Sequence, residues 1–181
     1  LDKDIVFVLQ TVGTNADAYK QQVEVIKAVA ENAFSSNDDV RICVISQEYD
    51  SAVFLGKKEW YTNANDLCQA LDAEFYIKLN KYCNRSESFK LILEKVDFRD
   101  NAIKYVYFAM NGYTNVKTND ISQLTLCKKL DVIYSEVRPA RHEYSEQSYE
   151  EKVNEAIFKS GGEVFIVNDS CAENIINHIN N

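Results

Sequence analysis

Asp4-Ile5-Val6-Phe7-Val8-Leu9-Gln10-Thr11-Val12-Gly13-Thr14 places an unbroken apolar run, rich in β-branched side chains, directly before a polar loop. A run without polar interruption reads as a strand buried on both faces, the kind a parallel sheet covered by helices requires. The loop extends from Gln10 to Asn15 and contains Gly13. Beyond it, Tyr19, Val23, Ile26, Ala30 and Ala33 recur at spacings of three and four, which puts them on one face of a helix.

Working outward, Val40-Arg41-Ile42-Cys43-Val44-Ile45 is a second strand, and Ala52-Val53-Phe54-Leu55 a third. The turn around Glu48-Tyr49-Asp50 is too short for a parallel crossover, so these two strands must pair antiparallel. Leu67, Leu71 and Phe75 carry helical periodicity, as do Phe89, Ile92, Leu93 and Val96 after a loop at Lys81 to Arg85. Ile103 to Met110 is a strand stopped by Asn111-Gly112. Ile121, Leu124 and Cys127 suggest a helix, Asp131 to Val137 a strand ended by Pro139, and Tyr149 to Phe158 a helix stopped by Gly161-Gly162. Glu163 to Val167 is the closing strand and Ala172 to Ile179 the closing helix, with Ile175, Ile176 and Ile179 toward the core. Strands alternating with helices predict a single α/β domain over residues 1–181. Its sheet is doubly wound, six-stranded and mostly parallel, with one antiparallel edge strand and helices on both faces.

Hydrophobic residues make up 46% of the chain and charged residues 27%, a balance that suits one packed core. The net charge of -8 and the absence of long basic runs argue against nucleic acid and against an anionic membrane surface. No apolar stretch approaches the roughly 20 residues needed to span a bilayer, so no membrane insertion is expected. Leu1-Asp2-Lys3-Asp4 is polar and unlike a leader peptide, so the chain is expected to start at a domain boundary. Five cysteines without a C-x-x-C pair, and only two histidines, give little support to structural zinc. Asn84-Arg85-Ser86 and Asn168-Asp169-Ser170 are glycosylation sequons, usable if the chain is secreted. Cys43 is expected to be a free thiol buried in the sheet, and Cys68 with Cys83 the preferred disulfide, closing a loop of about 15 residues.

In an open α/β sheet, ligands bind beyond the carboxyl ends of the strands, so the loops Gln10 to Asn15, Asn84 to Ser88 and Asn111 to Tyr113 matter most. In them the sequence resembles the von Willebrand factor A family. Asp4 to Thr14 is similar to that family's first strand and D-x-S-x-S metal loop, and Ser86-Glu87-Ser88 to its T-x-T loop. Met110-Asn111-Gly112 sits where the family has T-D-G, and Gly161 to Asp169 resembles its closing strand. The resemblance covers essentially the whole chain, in order and at the right spacing.

Carried over position by position, the family's metal-site residues fall on Gln10, Val12, Thr14, Ser86 and Asn111. Both carboxylates become neutral amides, and one hydroxyl becomes an isopropyl group. A hard divalent ion needs oxygen ligands, normally with carboxylate charge to offset its dehydration. The resemblance therefore implies a degenerate adhesion site, with no metal and no cofactor. Asp17 and Glu87 are the nearest acids that can act as surrogates.

Enzymatic signatures are missing: no G-x-G-x-x-G, P-loop or G-x-S-x-G follows a strand. A Cys/His dyad would need His142 or His178 as base, but Cys43 reads as a core residue, His142 as a solvated loop residue and His178 as a polar-face residue. Trp60 and Tyr61 can anchor a partner or, more commonly, pack under a loop. The acids from Glu143 to Glu151 suit a helix start. The expected function is a non-enzymatic protein-interaction or adhesion module of a larger extracellular protein, its partner a matrix or cell-surface protein or another copy of itself. An intracellular scaffold subunit is the alternative.

Overall fold

The structure is a computed structural model that describes residues 1–75, 83–109, 114–115, 121, 132–139 and 154–181. Its strands are β1 (Asp2–Gln10), β2 (Asp39–Gln47), β3 (Ala52–Phe54), β4 (Cys83–Asn84), β5 (Ile103–Ala109), β6 (Thr114–Asn115), β7 (Val132–Pro139) and β8 (Val164–Val167). Its helices are α1 (Ala16–Phe34), α2 (Ala64–Ala73), α3 (Ser86–Lys95), α4 (154–159) and α5 (Cys171–Asn180). The main sheet has the order β3-β2-β1-β5-β7-β8, parallel throughout except for β3, and β4 and β6 form a separate small parallel pair. This is the doubly wound architecture with one antiparallel edge that the sequence pattern predicts.

β1 is central, and its apolar run is divided between two cores. Ile5, Phe7 and Leu9 pack with α1, α2 and α5 on one face, whereas Val6 and Val8 pack with Phe89 and Ile92 of α3 and Ile157 of α4 on the other. Each such side chain contributes roughly 1.5–3 kcal/mol by leaving water. On α1 the stripe Tyr19, Val23, Ile26, Ala30 and Ala33 is buried as its spacing requires, and Asn15 caps the helix by accepting the Ala18 N–H. On α5, Ile175 and Ile179 are fully covered, as is Cys171, and Ile176 is partly covered.

Three details depart from the sequence pattern. Phe75 is 69% exposed because α2 stops at Ala73, where Glu74 turns into extended backbone before another turn can bring the ring inward. β7 runs past Val137 and has Pro139 as its own last residue, paired in register with Val167. Cys68, expected to bridge to Cys83, carries a free thiol. Leu67 and Leu71 must face the core, which turns Cys68 sideways toward Lys27 and Glu31 of α1. The side chain of Cys83 lies outside the described residues, as do Leu124, Cys127, His142 and Glu143 to Glu151. Gly161 ends α4 with φ of 83°, and the amides of Gly161 and Gly162 return to the carbonyls of Phe158 and Ile157, a Schellman stop.

At the amino end of the sheet a polar start to β1 becomes an ion cluster. Asp4 is fully buried; its carboxylate accepts from Arg41 (3.0 and 2.8 Å), from the Arg99 side chain (2.9 Å) and from the Arg99 backbone (2.7 Å). Burial alone would raise the Asp4 pKa, but these hydrogen bonds outweigh it and hold the carboxyl below its ordinary value. The ionised form is therefore favoured by folding. Its stabilisation is complete above the unfolded value of about 4 and is lost as pH falls through the depressed folded value. Asp4→Asn is expected to cost about 3 kcal/mol at neutral pH, since Arg41 and Arg99 both lose the buried carboxylate and Arg99 keeps only its more exposed partners Asp39 and Asp2. Urea unfolding of both proteins between neutral pH and about pH 2 checks this: the acid-dependent loss should be steep in the parent and shallower in the variant.

Candidate functional site

From β1 the chain leaves to α1 on one face of the sheet, whereas Ile121, which follows β5, lies in the core of the other face. Adjacent parallel strands whose connections diverge open a crevice at their carboxyl ends. Here that crevice lies between Gln10, the last residue of β1, and Ala109, the last of β5.

The crevice is filled by the chain itself. Gln10 is completely buried, and its Nε2 donates to the carbonyls of Val12 (3.0 Å) and Gly13 (3.1 Å). Gly13, with φ of 67°, allows the loop to bend back toward that amide. The Gln10 Oε1 accepts from Nη2 of Arg85 at 2.8 Å. Arg85 precedes α3 and is itself fully buried; the same nitrogen donates to the carbonyl of Ala109, and the guanidinium carbon lies 5.6 Å from the Phe108 ring centroid. Gln22 of α1 accepts the Gln10 backbone N–H at 2.9 Å.

A third buried glutamine, Gln47, stands beside Gln10 in the β1–β2 register. Its Nε2 donates to the carbonyls of Glu48 (2.8 Å) and Ser51 (3.2 Å), fixing the hairpin turn, and its Oε1 accepts from the Ser88 hydroxyl. Thr11 donates its hydroxyl to the Gln47 carbonyl at 3.0 Å. On the rim, Ser46 donates to Glu74 at 2.9 Å, and burial together with the Glu74 charge pushes the Tyr19 hydroxyl up to about 12.

Of the residues singled out from the sequence, Gln10 and Val12 lie at the crevice, with Val12 buried and Thr14 partly exposed on the same loop. Ser86 begins α3, its N–H donated to Asn84 Oδ1 at 3.1 Å, and the buried hydroxyl contact is made two residues later by Ser88. Asn111 lies outside the described residues. Asp17 is exposed in the first turn of α1 and Glu87 partly exposed in that of α3, positions where an acid complements the helix dipole. Among the described residues, Gln10 and Val12 do not suit a hard divalent ion: the Gln10 oxygen is engaged by a guanidinium, its nitrogen can only donate, and Val12 has no side-chain oxygen. Arg85, Gln22 and Gln47 were missed by sequence reasoning. Arg85 was hidden inside a sequon, and the glutamines carry no motif.

His178 is not on a purely polar face. It is half-buried against Tyr105, Tyr107 and Phe165, and its Nδ1 lies 2.7 Å from the Tyr107 hydroxyl. Cys43 is a buried thiol in β2, raised well above its ordinary pKa by burial, which disfavours the thiolate. Tyr61 packs under the β3 turn, its hydroxyl donated to the Leu55 carbonyl at 2.7 Å, and Arg41 covers the half-buried Trp60 ring at 4.1 Å. Burial lowers the His178 pKa, with Glu163 pulling partly the other way. Neutral imidazole is thus the folded form, and its contribution is present above about pH 6.5 and lost as pH falls through the depressed value. His178→Gln should remove the melting-temperature loss seen on moving from about pH 7 to about pH 5.

No protein-family model matches the chain, and no curated protein matches it. Solved structures do match. Proximal thread matrix protein 1 of the mussel byssus, with a zinc-occupied MIDAS motif, aligns over 98% of this chain with TM-score 0.69 and 13% identity. A von Willebrand factor type A protein from Catenulispora acidiphila aligns over 98% with TM-score 0.68 and 13% identity. This chain spans 44% and 42% of those two proteins' lengths. The SpRpn10 VWA domain aligns over 97% of this chain and 94% of its own length, with TM-score 0.69 and 8% identity. The chain has the von Willebrand factor A-type fold.

Proposed function

We propose that the chain is a non-enzymatic protein-interaction or adhesion module of a larger extracellular protein, and that it binds its partner without a metal ion. The observation that carries this reading is the crevice between β1 and β5, where Gln10 and Arg85 are hydrogen-bonded to each other at the position that the fold offers to a ligand. No nucleophile with an adjacent base occurs among the described residues of that crevice, and its polar groups bond inward. The outer rim, with exposed Tyr49 and Phe75, is the surface left for protein contact. The partner is a matrix or cell-surface protein, or a second copy of the chain.

Likeness to a byssus thread protein and the two sequons support the extracellular setting. Asn168 is exposed, and Asn84 is partly exposed beside the buried Arg85, so Asn168 is the better glycan acceptor. The second reading, an intracellular scaffold subunit, draws on the free thiols of Cys43, Cys68 and Cys171, which suit a reducing compartment. Expression through a secretory pathway separates the two. The extracellular reading expects glycan at Asn168 and a folded product, and a bare, misfolded product favours the scaffold. Partner affinity, once a ligand is captured, is expected to be unchanged by EDTA or added Mg²⁺, and a several-fold loss in EDTA measured by surface plasmon resonance contradicts metal independence.

A further inference from the structure

We propose that Arg85 is a tethered cation that clamps the carboxyl ends of β1 and β5, standing where this fold offers a place to a mobile ion. The inference deepens the metal-free reading above and rests on it. Three observations converge on it. Arg85 is the largest fully buried side chain among the described residues, although arginine is almost never completely removed from water without dedicated partners. One nitrogen, Nη2, serves two acceptors from different strands, the Gln10 side-chain oxygen and the Ala109 carbonyl, so a single group joins the two sides of the crevice. The guanidinium also lies against the Phe108 ring, which a planar, weakly hydrated cation tolerates and a metal ion with its water shell does not.

The acceptors are matched to this cation. A carboxylate at position 10 would neutralise the charge but would leave no N–H for the Val12 and Gly13 carbonyls. Glutamine does both, offering its oxygen to the guanidinium and its nitrogen to the loop. The amide at Gln10 and the guanidinium at Arg85 therefore form one unit, and the loss of acidic ligands accompanies the gain of an internal cation. Because the cation is covalently held, its presence does not depend on the ions in solution.

Chemical rescue tests this. Arg85→Ala should lower the melting temperature by about 10 °C, and low-millimolar methylguanidinium should restore most of that loss with a saturable dose response. Tetramethylammonium at the same concentration should not. Arg85→Lys keeps the charge but lacks the planar fork, so it should fold with a melting temperature clearly below the parent. Parent-like melting of Arg85→Ala or Arg85→Lys, or equal rescue by both cations, overturns the clamp. If Arg85→Ala fails to fold, refolding with methylguanidinium must recover it, and failure there counts against the proposal. The partner measurement is separate: rescue with EDTA-sensitive binding keeps the clamp and defeats the metal-free reading, whereas EDTA-insensitive binding without rescue defeats the clamp alone.

Discussion

Adjacent parallel strands whose connections run to opposite faces leave a gap at their carboxyl ends. In this protein the closure is the hydrogen bond between Gln10 and Arg85, made where neither group meets solvent. An unpartnered buried guanidinium or amide would each cost several kcal/mol, so the two residues are strongly interdependent. The rest of the crevice follows from that bond. The Gln10 nitrogen is left to hold the loop carbonyls, Gln22 takes the Gln10 backbone, and Gln47 anchors the neighbouring hairpin and α3 through Ser88.

The two ends of the sheet solve their polar problems differently. At the amino end Asp4 is buried but faces two arginines that are about one-fifth exposed, so charge meets charge near solvent. At the carboxyl end the Arg85 guanidinium donates to the Gln10 amide oxygen and the Ala109 carbonyl, with Gln22 bonded to the Gln10 backbone and Ser88 to Gln47 beside them. Neutral dipoles cost less to bury than ions. The first arrangement makes stability depend on acid pH. The second joins the ends of β1 and β5 through one side chain.

The fold was legible because periodicity carried it. The apolar run of β1 and the three-and-four spacing of α1 define the central layer, and the short link between β2 and β3 dictates the antiparallel edge. The amide at Gln10 was equally plain in the sequence, and the cation that faces it was not. Arg85 lies between the Asn and the Ser of a sequon, and an isolated arginine in a loop is ordinarily solvated, so nothing local announces its burial. Its partner Ala109 contributes only a backbone carbonyl, which leaves no trace in sequence. Ser88 was passed over for Ser86 because the two share a motif, and only the first turn of α3 determines which hydroxyl faces Gln47. Phe75 fits the helical spacing and fails because the helix ends before it.

The central claim is that Gln10 and Arg85 are bonded to each other and to no dissolved cation. Side-chain nitrogen resonances of the labelled protein report on both directly during a Mg²⁺ titration. The account predicts slowly exchanging Arg85 guanidinium protons and Gln10 amide signals that do not move at millimolar Mg²⁺. A saturable shift of those signals, with the Arg85 protons released to rapid exchange, would contradict it.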